Sequence, residues 1–235
     1  MLPVDFTAPQ SNQTGVTETE LTEILPTAQR FALAYAPAAV RADVLTVLAL
    51  DTRLAGVVRA AREPVLAQLR LAWWREALQD AAAGTIRAEP LLGRLESWRE
   101  ETAALIALVD GWEAMLANDG SGTAGPLAMA EGRGNAFAAL ARVLQHADCA
   151  GEAQRAAIGW SLVDQAGRTR DPDHSAATLA LARARVECRP RLPRVMRSLA
   201  VLHGLARRAA ARRQGDLFGS SGALFAGIRL GIIGR

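Results

Sequence analysis

The stretch RFALAYAPAAVRADVLTVLALDTRLAGVVRAAREPVLAQLRLAWWREAL, residues 30–78, decides the fold class. Within it Val40, Val44, Val47, Leu48, Leu54, Val57 and Val58 recur at intervals of three and four residues. That period sets side chains on one stripe of an α-helix, so the spacing predicts an amphipathic helix from 37 to about 61. Pro64 ends it and opens another, because proline has no N–H to give and fits a helix only in its first turn. The second helix is expected from 65 to about 83, closed by Gly84, with Leu66, Leu69, Trp73 and Ala77 as one stripe. Arg70 lies one turn before the Trp73-Trp74 pair, within reach of a cation–π contact, although core packing is the plainer role for these rings.

Working outward, the whole chain repeats this character. Of its 235 residues 50% are hydrophobic but only 5% aromatic, and Ala and Leu dominate, which suits helices and excludes disorder of the whole chain. Further helices are expected at about 89–116 (holding Trp98 and Trp112), 127–147, 152–168, 176–186 and 192–213. A Gly/Ser-rich loop is expected at 118–126. Residues 1–16 are polar and aperiodic and read as a disordered leader. Order is expected from Thr17, which has capping-box spacing to Glu20. The expected organisation is one all-α domain over 17–213, followed by a variable tail, 214–235.

Charge is unevenly distributed. All 27 basic residues are arginine and the net charge is +3, yet residues 1–132 hold 10 Arg against 17 acids while residues 133–235 hold 17 Arg against 7. Between Arg183 and Arg213 ten Arg face the single acid Glu187, with no aromatic residue interleaved, which speaks against base stacking and hence against nucleic acid. An acidic partner or an anionic membrane surface suits such a face better, the apolar 223–233 segment being a second membrane contact. Cys149 and Cys188 are too few and too far apart for a disulfide framework or a zinc motif. With no secretory signal and no apolar run of bilayer length, a cytoplasmic protein is expected, with peripheral contact to the inner membrane as an addition.

The 30–78 stretch resembles the opening helices of the squalene/phytoene synthase family. The resemblance rests on the aromatic-Ala-Pro turn at Tyr35 to Pro37, the Asp51-Thr52 pair late in a long helix, the Glu63-Pro64 break and the LAWWREAL segment at 71–78. Residues 131–144 and 192–208 are similar to the family's central and penultimate helices. The resemblance implies an isoprenoid-synthase fold, in which antiparallel helices surround a cavity for prenyl chains. It also implies a transferase of isoprenoid biosynthesis that joins two prenyl diphosphates. That chemistry needs carboxylates four residues apart on two facing helices, where they hold Mg²⁺ against the leaving diphosphate.

This chain departs from that pattern twice. After Asp51 the positions that should supply its partner carboxylates are Ala55 and Gly56, and Asp164 is followed four residues on by Arg168. Asp51 and Asp164 are therefore remnant candidates, no metal ligand set is assigned and no cofactor is expected. Arg53, Arg59, Tyr35 and Trp73 are candidates for binding substrate. The reading that follows is a non-catalytic relative, similar to the branch that includes assembly factors of respiratory complex I, binding a lipid, an isoprenoid or a partner protein. The alternative is an active prenyltransferase with a rearranged Mg²⁺ site built from Asp51 and Asp164, helped by Glu63 or Glu131. On the plainer reading Asp51 is an ion-paired surface residue and Asp164-Arg168 a helical i, i+4 pair. His146, Asp148 and Cys149 match no metal spacing, and the glycines around Gly132, Gly134, Gly219 and Gly222 match no phosphate-loop string.

Overall fold

The computed structural model describes residues 17–61, 63–85, 87–117, 122–213 and 215–217. Every regular element among them is helical: α1 (Glu18–Glu23), α2 (Thr27–Leu33), α3 (Arg41–Ala60), α4 (Pro64–Ala82), α5 (Thr102–Ala117), α6 (Ala124–Val143), α7 (Ala150–Arg168), α8 (Pro172–Val186) and α9 (Arg197–Ala211). The expected leader, residues 1–16, and nearly all of the expected tail, including 223–233, lie outside the described residues.

Local chemistry accounts for the boundaries. Thr17 and Glu20 form the expected reciprocal capping box at α1, and Pro64 occupies the first turn of α4. Asp171 caps α8 by accepting from the backbone N–H groups of Asp173 and His174, which starts that helix at Pro172, four residues earlier than its apolar pattern suggests. Where a helix is expected from about 89, short 3₁₀ turns form at Leu92–Arg94 and Glu96–Glu101, and α5 begins only at Thr102. A 3₁₀ turn at Arg194–Met196 likewise precedes α9.

The close approaches run in opposite directions along successive helices, so α5, α6, α7 and α8 are antiparallel neighbours. A Cβ on Gly111 would meet Met129 and one on Gly132 would meet Ala107, so the register between α5 and α6 rises on one helix as it falls on the other. Between α6 and α7, Arg133 reaches Ser161 and Asn135 reaches Gln154. Gly159 lies against Arg185 and Val186, and Ser175 bonds the Ala166 carbonyl, which reverses the chain again at α8. Helix α9 packs on α7 and α2. One continuous apolar core runs through all nine helices.

Two expectations about faces change. Helix α3 is not simply amphipathic: Val44 to Thr52 are buried without interruption, because neighbours cover that segment on every side. On α4 the buried stripe is Ala67, Leu71, Trp74, Ala77, Leu78 and Ala81, whereas Leu66, Leu69 and Trp73 face outward. Both stripes have helical spacing. The wider one, carrying Ala77 and Leu78, is the one the core selects.

Candidate functional site

At the centre of the bundle α2, α3, α5, α6 and α7 contribute polar and aromatic groups to a single cluster. Arg133 of α6 is 4% exposed, Asp51 of α3 is 4% exposed and Asp164 of α7 is 8% exposed. The guanidinium donates from Nε to Asp51 Oδ1 at 3.0 Å, pairs through Nη2 with Asp51 Oδ2 at 3.0 Å, and reaches Asp164 Oδ2 through Nη1 at 3.1 Å. Arg133 thus bridges the two carboxylates that sequence alone nominates as remnants.

The surroundings complete the cluster. Trp112 Nε1 donates to Asp51 Oδ1 at 3.0 Å, and the Gln29 amide reaches Asp51 Oδ2 at 3.4 Å. Arg168 takes Asp164 side-on, its Nε and Nη2 each 3.0 Å from a carboxylate oxygen. The guanidinium carbon of Arg133 lies 5.5 Å from the Trp112 ring and 5.0 Å from the Trp160 ring, within cation–π range of both. Trp160 in turn meets Phe137 edge-on at 5.7 Å.

Electrostatics follow from this packing. Burial works against the charge on Arg133, but Asp51 and Asp164 outweigh it and hold its pKa above the ordinary value. Burial likewise favours a neutral Asp164, and the charges of Arg133 and Arg168 outweigh that and hold its pKa below the usual carboxylate range. Two aspartates and two arginines balance, so the cluster carries no net charge.

Mg²⁺ does not fit this donor set. A magnesium ion needs carboxylate oxygens free to face it in octahedral geometry. All four oxygens of Asp51 and Asp164 already receive N–H donors from Arg133, Arg168, Trp112 or Gln29. Glu63 and Glu131 are exposed and do not join the buried pair. Among the described residues no group of three or more His, Cys, Asp or Glu is arranged to hold a metal ion.

The expected surface role of Asp51 is therefore corrected: its partner is Arg133, 82 positions away, and not Arg53 or Arg59. The pairing of Asp164 with Arg168 is present, but it forms one arm of a buried network. The candidates for binding substrate divide. Arg53, Arg59 and Trp73 line one surface groove of about 530 Å³ with Ile24, Val57 and Trp74. Tyr35 is not among its lining residues and packs edge-on against Phe31 at 5.3 Å. The cation over Trp73 is Arg87, at 5.7 Å, in place of the expected Arg70.

Arg133 is the residue that reading the sequence missed. Its signal is an arginine between two glycines in the Ala-rich run LAMAEGRGNAFAALA, where a charge sits on a face otherwise made of small residues. Gly132 beside it lets α5 approach, since a Cβ there would stand 2.6 Å from the Ala107 carbonyl oxygen. Comparison with protein-family models, with curated proteins and with solved structures found no match.

Proposed function

We propose that this chain is a non-catalytic, squalene/phytoene synthase-like protein that binds an isoprenoid or other lipid, or a partner protein, without turning it over. The observation that carries the reading is the Arg133 bridge between Asp51 and Asp164. In the isoprenoid-synthase arrangement that the sequence resembles, carboxylates on facing helices hold metal ions between them. Here one covalently attached cation, Arg133, stands between the two remaining carboxylates, and together with Arg168 it offsets their charge. A guanidinium binds a diphosphate but cannot supply the Lewis-acid assistance that departure of the diphosphate requires.

The alternative, a prenyltransferase with a rearranged Mg²⁺ site, would require Arg133 and Arg168 to leave buried partners, and such ion pairs are costly to break. Titration with farnesyl diphosphate, with and without Mg²⁺, followed by measurement of released pyrophosphate, separates the two. Binding that is indifferent to Mg²⁺, or no binding, without release is expected. Release of pyrophosphate that depends on Mg²⁺ and on Asp51 would establish the enzyme instead.

A further inference from the structure

The large hydrophobic side chains exposed among the described residues gather in one place. Val65 is 62% exposed, Leu66 49%, Leu69 63% and Trp73 37%, all on the first half of α4, and Ile24, 40% exposed, lines the adjoining groove with Trp73. On a helical projection Val65, Leu69, Trp73 and Leu66 fall within one arc of about 100°, the width of an amphipathic helix face. A contiguous apolar face on a folded protein marks a contact site.

The charges around it indicate what it contacts. Arg53 and Arg59 line the groove, Arg53 Nε is buried without a hydrogen-bond partner, and Arg70 is exposed on α4 beside the apolar arc. No acidic partner pairs with Arg53, Arg59 or Arg70 among the described residues. Further along the same helix Arg75 is paired with Asp110 and Glu113, and Arg87, in the segment that follows it, is paired with Glu76 and Asp80. The acids around the patch are Glu63, at the N-cap of α4, Glu76, paired with Arg87 one turn past Trp73, and Glu89, which lines the same groove as Arg53 and Arg59 and whose carboxylate accepts from the Leu91 N–H. Three arginines without an acidic partner among the described residues thus adjoin the exposed hydrophobic residues, while Arg87, over the Trp73 ring, has its charge met by Glu76 and Asp80.

We propose that the outward face of α4 docks on an anionic phospholipid membrane, with Val65, Leu66, Leu69 and Trp73 entering the headgroup–acyl boundary and a lipid phosphate seated in the groove on Arg53 and Arg59. An in-plane helix with an apolar arc, a tryptophan at its edge and flanking arginines is the form that binds such a surface. This inference is independent of whether the buried Arg133 cluster is catalytic. It assigns the membrane contact to α4 and not to the Arg-rich 183–213 segment.

The test is sedimentation of the full chain with vesicles of phosphatidylcholine alone and of phosphatidylcholine with phosphatidylglycerol. Binding to the anionic vesicles, weakened by salt, is expected. Replacing Leu66→Asp together with Leu69→Asp should lower partition by at least about tenfold, because both side chains leave the acyl boundary. Each of Arg59→Glu and Arg70→Glu should lower it by at least about fivefold and reduce the preference for anionic lipid. Trp73 is the exposed one of the five tryptophans, so brominated lipid should quench part of the emission of the unmodified protein, a readout that needs no variant. Inorganic phosphate alone should not reproduce the emission change.

Equal binding to neutral vesicles would overturn the proposal, as would binding untouched by the Leu66 and Leu69 substitutions. Absence of vesicle binding, with a dimer in light scattering that dissociates on Leu69→Asp, would assign the face to a second copy of the chain and overturn it equally.

Discussion

Arg133 grips Asp51 side-on across the middle of the bundle, through Nε and Nη2 with both distances at 3.0 Å. The pair links α6 to α3, and its third contact, to Asp164, extends the link to α7. Helix α3 and the consecutive helices α6 and α7 are thereby set in one register by a single guanidinium.

Removing that guanidinium leaves two buried carboxylates facing each other. Arg133→Met should cost about 3–5 kcal/mol of unfolding free energy, as is usual when one partner of a buried ion pair is lost. Replacing the cluster as a unit, with Asp51→Leu and Asp164→Leu added to Arg133→Met, should recover most of that loss. Urea unfolding of the two variants measures both. Equal destabilisation in each would mean that packing, and not uncompensated charge, dominates the site.

Acid should weaken the fold through Asp164. Its native pKa is lowered, so between the ordinary carboxylate value of about 4 and the lower native value the unfolded chain binds a proton that the native chain does not. The stability it contributes is complete above that ordinary value and is lost as pH falls below about 4. Arg168→Ala removes one of the charges responsible and should move the onset of acid unfolding to higher pH, which circular dichroism along a pH series would detect.

Close helix approach at Gly132 makes a helix-favouring substitution harmful. An added methyl would meet the Ala107 carbonyl oxygen at 2.6 Å and Leu108 Cα at 3.2 Å, both rigid backbone. Gly132→Ala should destabilise by about 1–3 kcal/mol through overpacking, although alanine gains up to about 1 kcal/mol of helix propensity over glycine. A thermal melt at or above that of the unmodified protein would show that α5 and α6 can separate without penalty.

Which face of α4 is buried can be checked by truncation. Leu71→Ala should cost about 2–5 kcal/mol, since Leu71 is fully enclosed, whereas Leu69→Ala should change stability by less than about 0.5 kcal/mol. The reverse order of the two would place the outward stripe in the core.

Much of the fold was legible because helix signals are local. The three- and four-residue spacing of apolar positions, the Thr17–Glu20 capping box and Pro64 each act within a turn or two of chain, and each predicts an element that is present. Local signals failed where two answers were equally good locally. Helix α4 carries two apolar stripes of helical spacing, and only the neighbouring helices select the one with Leu71 and Trp74. In residues 89–101 Trp98 supports a continuous helix by pattern, yet the chain there winds into 3₁₀ turns.

The sequence by itself determined that the chain is helical, where most of its helices lie, and that Asp51 and Asp164 lack the neighbouring carboxylates a metal cluster needs. Those properties depend on residues one helical turn apart. Tertiary structure alone decided that the same two aspartates are buried and joined by Arg133, that Trp112 and Trp160 flank the guanidinium, and that Arg53, Arg59 and Trp73 share a groove while Tyr35 lies elsewhere. Such pairings bring together residues dozens of positions apart, and no periodicity encodes them. They arise because a buried charge is tolerable only beside its opposite, and only the packed bundle determines which charges are buried together.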